Sequence, residues 1–458
     1  MRIPFTTLIS GVLLTGCVST AIHNDLPQVR ELARTSVPDG VVEGEVNAST
    51  DSQVLQALRQ PVDVDAAVRI ALAGNRELRA LFREMGIARG RLLQAGVVPN
   101  PVVGVEFLPE RNSRFELRVE YDITGLILAP ASSRAASSEV DAARFRAAAA
   151  VVATGLEARA DYYSFVAAEQ KLAIAQQALD ALAAARDAAN AMRASGNAAE
   201  FTADVQIAAY ERARVGVSEA ELEVAHRRET LTRLFGIAGG EVIWHSSGSL
   251  PEAEHQLSVP DRVETTAIEA SFALKEQRAH LEALGRQAGM ASTAGWMPEI
   301  VADVHALLGH PESTETNSLG DDWRFGAGVD VRLPIFAQNR GMAGALSAEF
   351  DAQMERYIGT AVTVRSAARE ARNRLVSAHA RVRLYADVIV PAQQRVMEQA
   401  LLQYNAMDLS VFELLNARRE QLDVELARVE TLAEYWTARA EFESVIAGAL
   451  VHTREGAR

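Results

Sequence analysis

The segment Phe115-Glu116-Leu117-Arg118-Val119-Glu120-Tyr121-Asp122-Ile123 decides how the rest of the chain reads. Phe115, Leu117, Val119, Tyr121 and Ile123 fall on one side of an extended strand, and Glu116, Arg118, Glu120 and Asp122 on the other. Side chains alternate across a strand with a period of two, so this segment has one dry face and one charged face. A dry face needs either a protein core or lipid behind it.

Three further stretches repeat the pattern. Val102 to Leu108 lies just before it. Ile300 to Leu308 puts Ile300, Ala302, Val304, Ala306 and Leu308 on one face. Trp323 to Leu333 sets Trp323, Phe325, Ala327, Val329, Val331 and Leu333 against Arg324, Gly326, Gly328, Asp330 and Arg332. A tilted strand of about 9–11 residues crosses a bilayer. Phe107, Phe115, Tyr121 and Trp323 stand near strand ends, where interfacial aromatics belong. The charged faces, with Glu106 and Asp303 added, suit a water-filled lumen. Alternation alone fits equally well two hairpins laid over a soluble core.

The N-terminus and the helices separate these readings. Met1-Arg2 precedes an apolar stretch through Leu14 and the ending Leu14-Thr15-Gly16-Cys17. That is the profile of a secretory signal, and the ending resembles a bacterial lipobox, with Cys17 as the lipidated first residue of the mature chain. Residues 1–16 read as the signal peptide and 17–60 as a tether. Cys17 is the single cysteine of 458 residues, so no disulfide framework exists. A net charge of −14 excludes the basic footprint of a nucleic-acid binder. No apolar run of about 20 residues follows the N-terminus, so no transmembrane helix is expected.

Prolines at 99, 101, 109 and 130 are followed by none until 251, and none follows 391. Proline is costly inside a helix, so long helices are expected in the gaps. Residues 131 to about 194, rich in Ala, Glu, Arg and Gln, read as one rod of roughly 95 Å. Gly196-Asn197 breaks it and a second rod runs to Phe235-Gly236. Positions 415, 422, 426, 429, 433 and 436 repeat like a coiled-coil seam. The halves also resemble each other: Ala95-Gly96-Val97-Val98-Pro99 and Ala294-Gly295-Trp296-Met297-Pro298 each end a helix and precede two strands. Residues 61–250, with a hairpin at 102–123, and 251–450, with a hairpin at 300–333, read as two repeats, and 451–458 as a tail.

Export, the lipid anchor and helices too long for a compact layer assign the dry face to lipid. Four strands leave open edges, which lipid does not tolerate. Three copies would make twelve strands with an open channel, whereas two make only eight. The expected fold is therefore mainly α with a small β part. A trimer would close a 12-stranded transmembrane barrel, four strands per chain, and build a coiled-coil helical barrel.

These residues resemble the TolC-like outer-membrane factors. The resemblance rests on Asn75-Arg76-Glu77-Leu78, Pro99-Asn100-Pro101, Leu333-Pro334-Ile335-Phe336, and Ile389-Val390-Pro391 followed by Tyr404 and Leu414-Leu415, in that order. It implies an outer-membrane homotrimer extending into the periplasm, which docks on a periplasmic adaptor and an inner-membrane pump. Pro99-Asn100-Pro101 and Pro334 to Gly341 are most similar to the heavy-metal cation efflux branch. Tyr121-Asp122-Ile123-Thr124-Gly125-Leu126 departs from that branch's apolar-Pro-Ile turn. A coiled-coil structural lipoprotein and a type I secretion conduit are the alternatives.

The resemblance also places sites. A tyrosine before the helical turn and acids after it hold such tunnels shut. Tyr404 matches the tyrosine, and Glu413 and Asn416 occupy the two usual acidic positions. Gly196 aligns with Met407, which puts Thr202 and Asp204 at the same level. Gly196, Asn197, Met407 and Asp408 mark the adaptor-docking tips. No catalytic constellation, cofactor motif or metal site stands out. Met290, Met297, His305 and His310 bracket a helix end and a strand and read as packing and turn residues. Gly236-Ile237-Ala238-Gly239-Gly240 reads as a helix terminator.

Overall fold

A computed structural model of the chain describes residues 25–33, 48–108, 114–237, 244–308, 323–336 and 338–450. The signal segment, Cys17, the C-terminal tail, His310 and residues 238–240 lie outside the described residues. After α1 (Leu26–Ala33) and α2 (Ala48–Ala57), one order of elements occurs twice. First come α3 (Val64–Gly74), α4 (Arg76–Ala95), β1 (Val102–Leu108), β2 (Arg114–Asp122), α5 (Ile123–Ala194) and α6 (Glu200–Leu234). Then follow α7 (Val263–Ala270), α8 (Phe272–Ala294), β3 (Glu299–Leu308), β4 (Trp323–Arg332), α9 (Arg340–Leu384), α10 (Val390–Asn405) and α11 (Val411–Ile446). Among the described residues no helix is long and apolar enough to cross a membrane.

The chain divides into two compact units. Of the described residues, one holds those within Phe82–Val140 and Glu282–Ser347 together with 25–27; the other holds those within Gln28–Leu81, Asp141–Leu281 and 348–450. In the first unit the four strands form one antiparallel sheet in the order β1-β2-β3-β4, so the two hairpins join along β2 and β3.

One expected boundary is corrected there. The long helix starts at Ile123 rather than near residue 131, and Pro130 lies inside it. Asp122, the last residue of β2, accepts the Gly125 N–H at 2.9 Å and caps the first turn. The Thr124 hydroxyl donates to the Pro298 carbonyl at 3.2 Å and accepts the Ile300 N–H at 2.7 Å, tying this turn to the start of β3. With its N-terminus held so firmly, a 72-residue helix survives the one hydrogen bond that Pro130 withholds.

The second unit is built of helical pairs. Buried positions of α9 fall at Val364, Ala368, Ala371, Leu375, Ala378 and Val382, alternating steps of four and three that make a heptad seam. On α11 the expected seam is buried at Leu422 and Val429. Arg381–Glu434 at 2.6 Å and Arg374–Glu441 at 3.4 Å bridge α9 and α11, and Lys171–Glu430 at 3.0 Å and Arg159–Glu443 at 2.9 Å bridge α5 and α11. Between α9 and α10, Tyr385–Ile389 widens into a π-helical turn. Pro391 stands two residues after Ile389, and the wider turn accommodates both its ring and its missing N–H.

Two glycines lock the repeats in the same manner. Gly236 ends α6 with φ +69°, and a Cβ there would lie 2.1 Å from the Gly74 carbonyl oxygen, at the break between α3 and α4. Gly448 ends α11 with φ +93°, and its Cβ would lie 2.3 Å from the Ala270 carbonyl oxygen, at the break between α7 and α8. Asn75 and Ser271 cap the helices after those breaks by accepting the N–H groups of Leu78 and Leu274.

Candidate functional site

Register turns the four alternating strands into one sheet with two unlike faces. Phe107, Phe115, Leu308 and Trp323 stand in one rung, and Val103, Val119, Val304 and Ala327 in another. The next rungs carry Val105, Leu117, Ala306 and Phe325 on one side and Tyr121, Ala302 and Val329 on the other. Every one of these side chains lies on the same face. Along β3 that face runs from Ile300 to Leu308, roughly 27 Å of strand. Phe115 meets Trp323 edge-on at 6.2 Å and Trp323 stacks on Phe325 at 6.4 Å, so the aromatics gather at the hairpin end.

The opposite face carries Glu106, Glu116, Glu120, Asp122, Glu299, Asp303 and Asp330 beside arginines that include Arg118, Arg324 and Arg332, so acids outnumber arginines there. Arg118 pairs with Glu116 at 3.0 Å and Glu120 at 3.5 Å, His305 with Asp303 at 2.9 Å, and Arg332 with Glu299 at 2.6 Å. Gly326 and Gly328 let the His305 ring and the Asp303 carboxylate lie across β4, because a Cβ at either would be 2.3 Å from them. Burial is inverted relative to a water-soluble sheet. Glu116 and Asp303 are 9% and 8% exposed, while Val105, Val304, Phe325 and Val329 are 63%, 59%, 79% and 64% exposed. A soluble domain does not leave so broad an apolar face in water.

The helical tips form the second locus. The α5–α6 turn closes as a Schellman motif: Asn197 N–H donates to the Met192 carbonyl at 2.8 Å, with Gly196 left-handed at φ 76°. The α10–α11 turn closes identically. Asp408 N–H donates to the Gln403 carbonyl at 2.9 Å, and Met407 takes the left-handed position at φ 63°. Glycine adopts that conformation freely; methionine does so at a cost of about 1–2 kcal/mol. Met407 is also 93% exposed, so its side chain gains little packing to offset the strain.

The expected gate residues are only partly brought together. Glu413 and Asn416 share a groove of about 420 Å³ with Val205, Gln206 and Arg212 of α6 and Arg419 of α11. Tyr404, Thr202 and Asp204 do not line it. Glu413 is also a capping residue: its carboxylate accepts the Ser410 N–H at 2.9 Å and hydroxyl at 2.7 Å, while Ser410 caps the Glu413 N–H. These bonds stabilise the charged form and hold the Glu413 carboxyl below the usual carboxylate range. The Ser-x-x-Glu signal of this box is legible in the sequence at 410–413. Arg186, which lies 4.0 Å over the Tyr210 ring and joins α5 to α6, carries no comparable sequence signal.

Among the described residues no group of three or more His, Cys, Asp or Glu could hold a metal ion. His305 is engaged with Asp303 on the polar face of the sheet.

No protein-family model matches the sequence. The cobalt-zinc-cadmium resistance protein CzcC of Cupriavidus metallidurans is 21% identical over 395 residues, spanning 84% of this chain and 90% of that protein. The solved structure of CusC, described with its transmembrane channel formation, superposes with a TM-score of 0.67 at 15% identity, over 84% of this chain and 92% of that one. The outer-membrane channel OprN does so with a TM-score of 0.68 at 18% identity, over 92% and 96%. With its four-stranded sheet, its twice-repeated helical pairs and these likenesses over most of its length, the chain carries the fold of the solved outer-membrane channel structures.

Proposed function

We propose that this chain is the outer-membrane channel of a tripartite efflux assembly, a passive conduit whose three copies pool their strands into a twelve-stranded barrel. The observation that carries this reading is the inverted sheet: its apolar face is exposed and its charged face partly buried. Lipid satisfies the first and an aqueous lumen the second. The unpaired edges of β1 and β4 require further strands in the bilayer, which a second and third copy supply. No catalytic step belongs to this function. An inner-membrane pump supplies the drive and a periplasmic adaptor links the two.

The signal peptide at 1–16, lipidation at Cys17 and the two repeats at 61–250 and 251–450 belong to the same proposal. Asp25 is buried and paired with Arg89 of α4 at 3.2 Å. From that fixed point the eight residues 17–24 reach at most about 28 Å. A lipid on Cys17 is thereby tethered within that distance of Asp25. The cargo we assign is heavy-metal cations, supported by the likeness to CzcC and by a lumen face with more acids than arginines. The tips at Gly196-Asn197 and Met407-Asp408 are the adaptor-docking surface, and an exposed, strained Met407 suits an apolar contact there.

The mature chain is expected to purify from outer membranes as a detergent-requiring trimer that conducts ions in planar bilayers. Single cysteines at Asn197 or Asp408 should crosslink to the adaptor. A monodisperse monomer in detergent-free buffer would overturn the channel. Loss of drug tolerance with cobalt, zinc and cadmium tolerance intact in a deletion strain would overturn the cargo alone.

The gate, assigned to Tyr404, Glu413, Asn416, Thr202 and Asp204, has a sharper test. Glutamine at 413 retains the capping box but carries no charge. Glu413→Gln is expected to lower cation preference several-fold with thermal stability unchanged, whereas Glu413→Ala loses both. Because the Glu413 pKa is depressed, its charge is present at neutral pH and is lost as pH falls through that depressed value. Cation preference should therefore persist further into acid than an ordinary carboxylate allows. Equal selectivity in Glu413→Gln and wild type would remove this residue from the gate.

A further inference from the structure

The two hairpins leave the sheet differently. β2 passes directly into α5, whereas β4 and α9 are separated by residues 333–339. In that connection Leu333, Ile335 and Phe336 are 62%, 63% and 98% exposed. The connection is nonetheless held at both ends. The Ile335 N–H donates to the Leu333 carbonyl at 2.9 Å, a tight three-residue turn. The Gln338 carbonyl oxygen lies so close to Gly295 that a Cβ there would be 2.2 Å from it. Ile335 and Phe336 are thus presented outward by a defined turn.

Topology states what lies beside them. The four strands alternate in direction, so β4 ends at the same rim at which β1 begins. β2 and β3 are interior, and β1 and β4 are the edges. When copies join edge to edge, antiparallel pairing places the residues after β4 of one copy beside those before β1 of the next. Those residues include Val97 and Val98, also exposed, at 55% and 42%. The apolar turn occurs at the hairpin exit that lies on an edge and is absent from the exit that lies inside the sheet.

We infer that the turn Leu333-Pro334-Ile335-Phe336 docks on Val97 and Val98 of a second copy of this chain, sealing the seam below the β4–β1 junction. This rests on the trimeric barrel proposed above and adds to it the contact that closes its lower rim. Burying apolar side chains where strand pairing stops would keep lipid and water from the last backbone groups of each seam.

The test uses the full-length lipidated chain in outer membranes. Val98→Cys combined with Phe336→Cys should give covalent dimer and trimer bands on mild oxidation, and Val98→Cys combined with Phe325→Cys, near the opposite end of β4, should give neither. Phe336→Asp should cut the heat-resistant trimer fraction at least tenfold, while Phe336→Leu leaves it within twofold. A normal trimer without crosslinks, in which Phe336→Asp is harmless, would overturn the docking and leave the channel standing. Labelling of Phe336→Cys by a lipid-borne reagent in the intact trimer would overturn it too, by assigning the turn to lipid. Absence of any trimer in the unsubstituted chain would overturn both.

Discussion

Replacing Val304 by arginine is expected to abolish trimer assembly in the outer membrane, while His305→Arg, one residue along, assembles normally. Val304 stands in the middle rung with Val103, Val119 and Ala327, and it is 59% exposed. In a water-soluble protein a substitution at so exposed a site is worth no more than about 0.5 kcal/mol. At the midplane of a bilayer the same arginine costs about 2–4 kcal/mol, and the trimer meets that cost three times. His305 faces the opposite side, beside Asp303 and across from Gly326, where a positive charge meets acids and water. The check is the yield of heat-resistant trimer in outer-membrane fractions. If Val304→Arg accumulates as trimer at the unsubstituted level, the apolar face does not contact lipid.

Gly236→Ala and Gly448→Ala are each expected to destabilise the helical unit by at least about 2 kcal/mol. Both glycines hold positive φ, which alone costs alanine about 1 kcal/mol or more. Both also face a backbone carbonyl, Gly74 or Ala270, that cannot swing aside as a side chain could. The capped breaks at Asn75 and Ser271 would have to move with them. Gly216 is the internal control. It lies within α6 with nothing near its missing Cβ, so Gly216→Ala should stabilise by about 0.5–1 kcal/mol. Protease resistance against denaturant concentration, on the detergent-solubilised protein, separates the three. Equal midpoints for Gly236→Ala and Gly216→Ala would show that the α6 end is not locked on the α3–α4 break.

Much of this fold is legible residue by residue because its signals are local. Alternation in Phe115–Ile123 identifies a two-faced strand without any knowledge of its neighbours. Alanine-rich, proline-poor stretches identify the long helices. Local signals mislead where a distant contact holds the chain. Pro130 reads as a helix boundary, yet Asp122 and the link from Thr124 to Pro298 start the helix seven residues earlier. Glu413 and Asn416 share a face of α11 by their spacing of three, but only the packing of α5, α6 and α11 builds a groove over them and leaves Tyr404 out.

The sequence by itself determined that the strands are two-faced and that the first long helix turns at Gly196-Asn197, since a period of two and a glycine stop act over a few residues. Only the tertiary structure decided that the four apolar sides share one face, that this face is the exposed one, and that Gly236 and Gly448 close on breaks more than 150 residues away. Register and close backbone approach are relations between segments far apart in the chain, and no single segment encodes them.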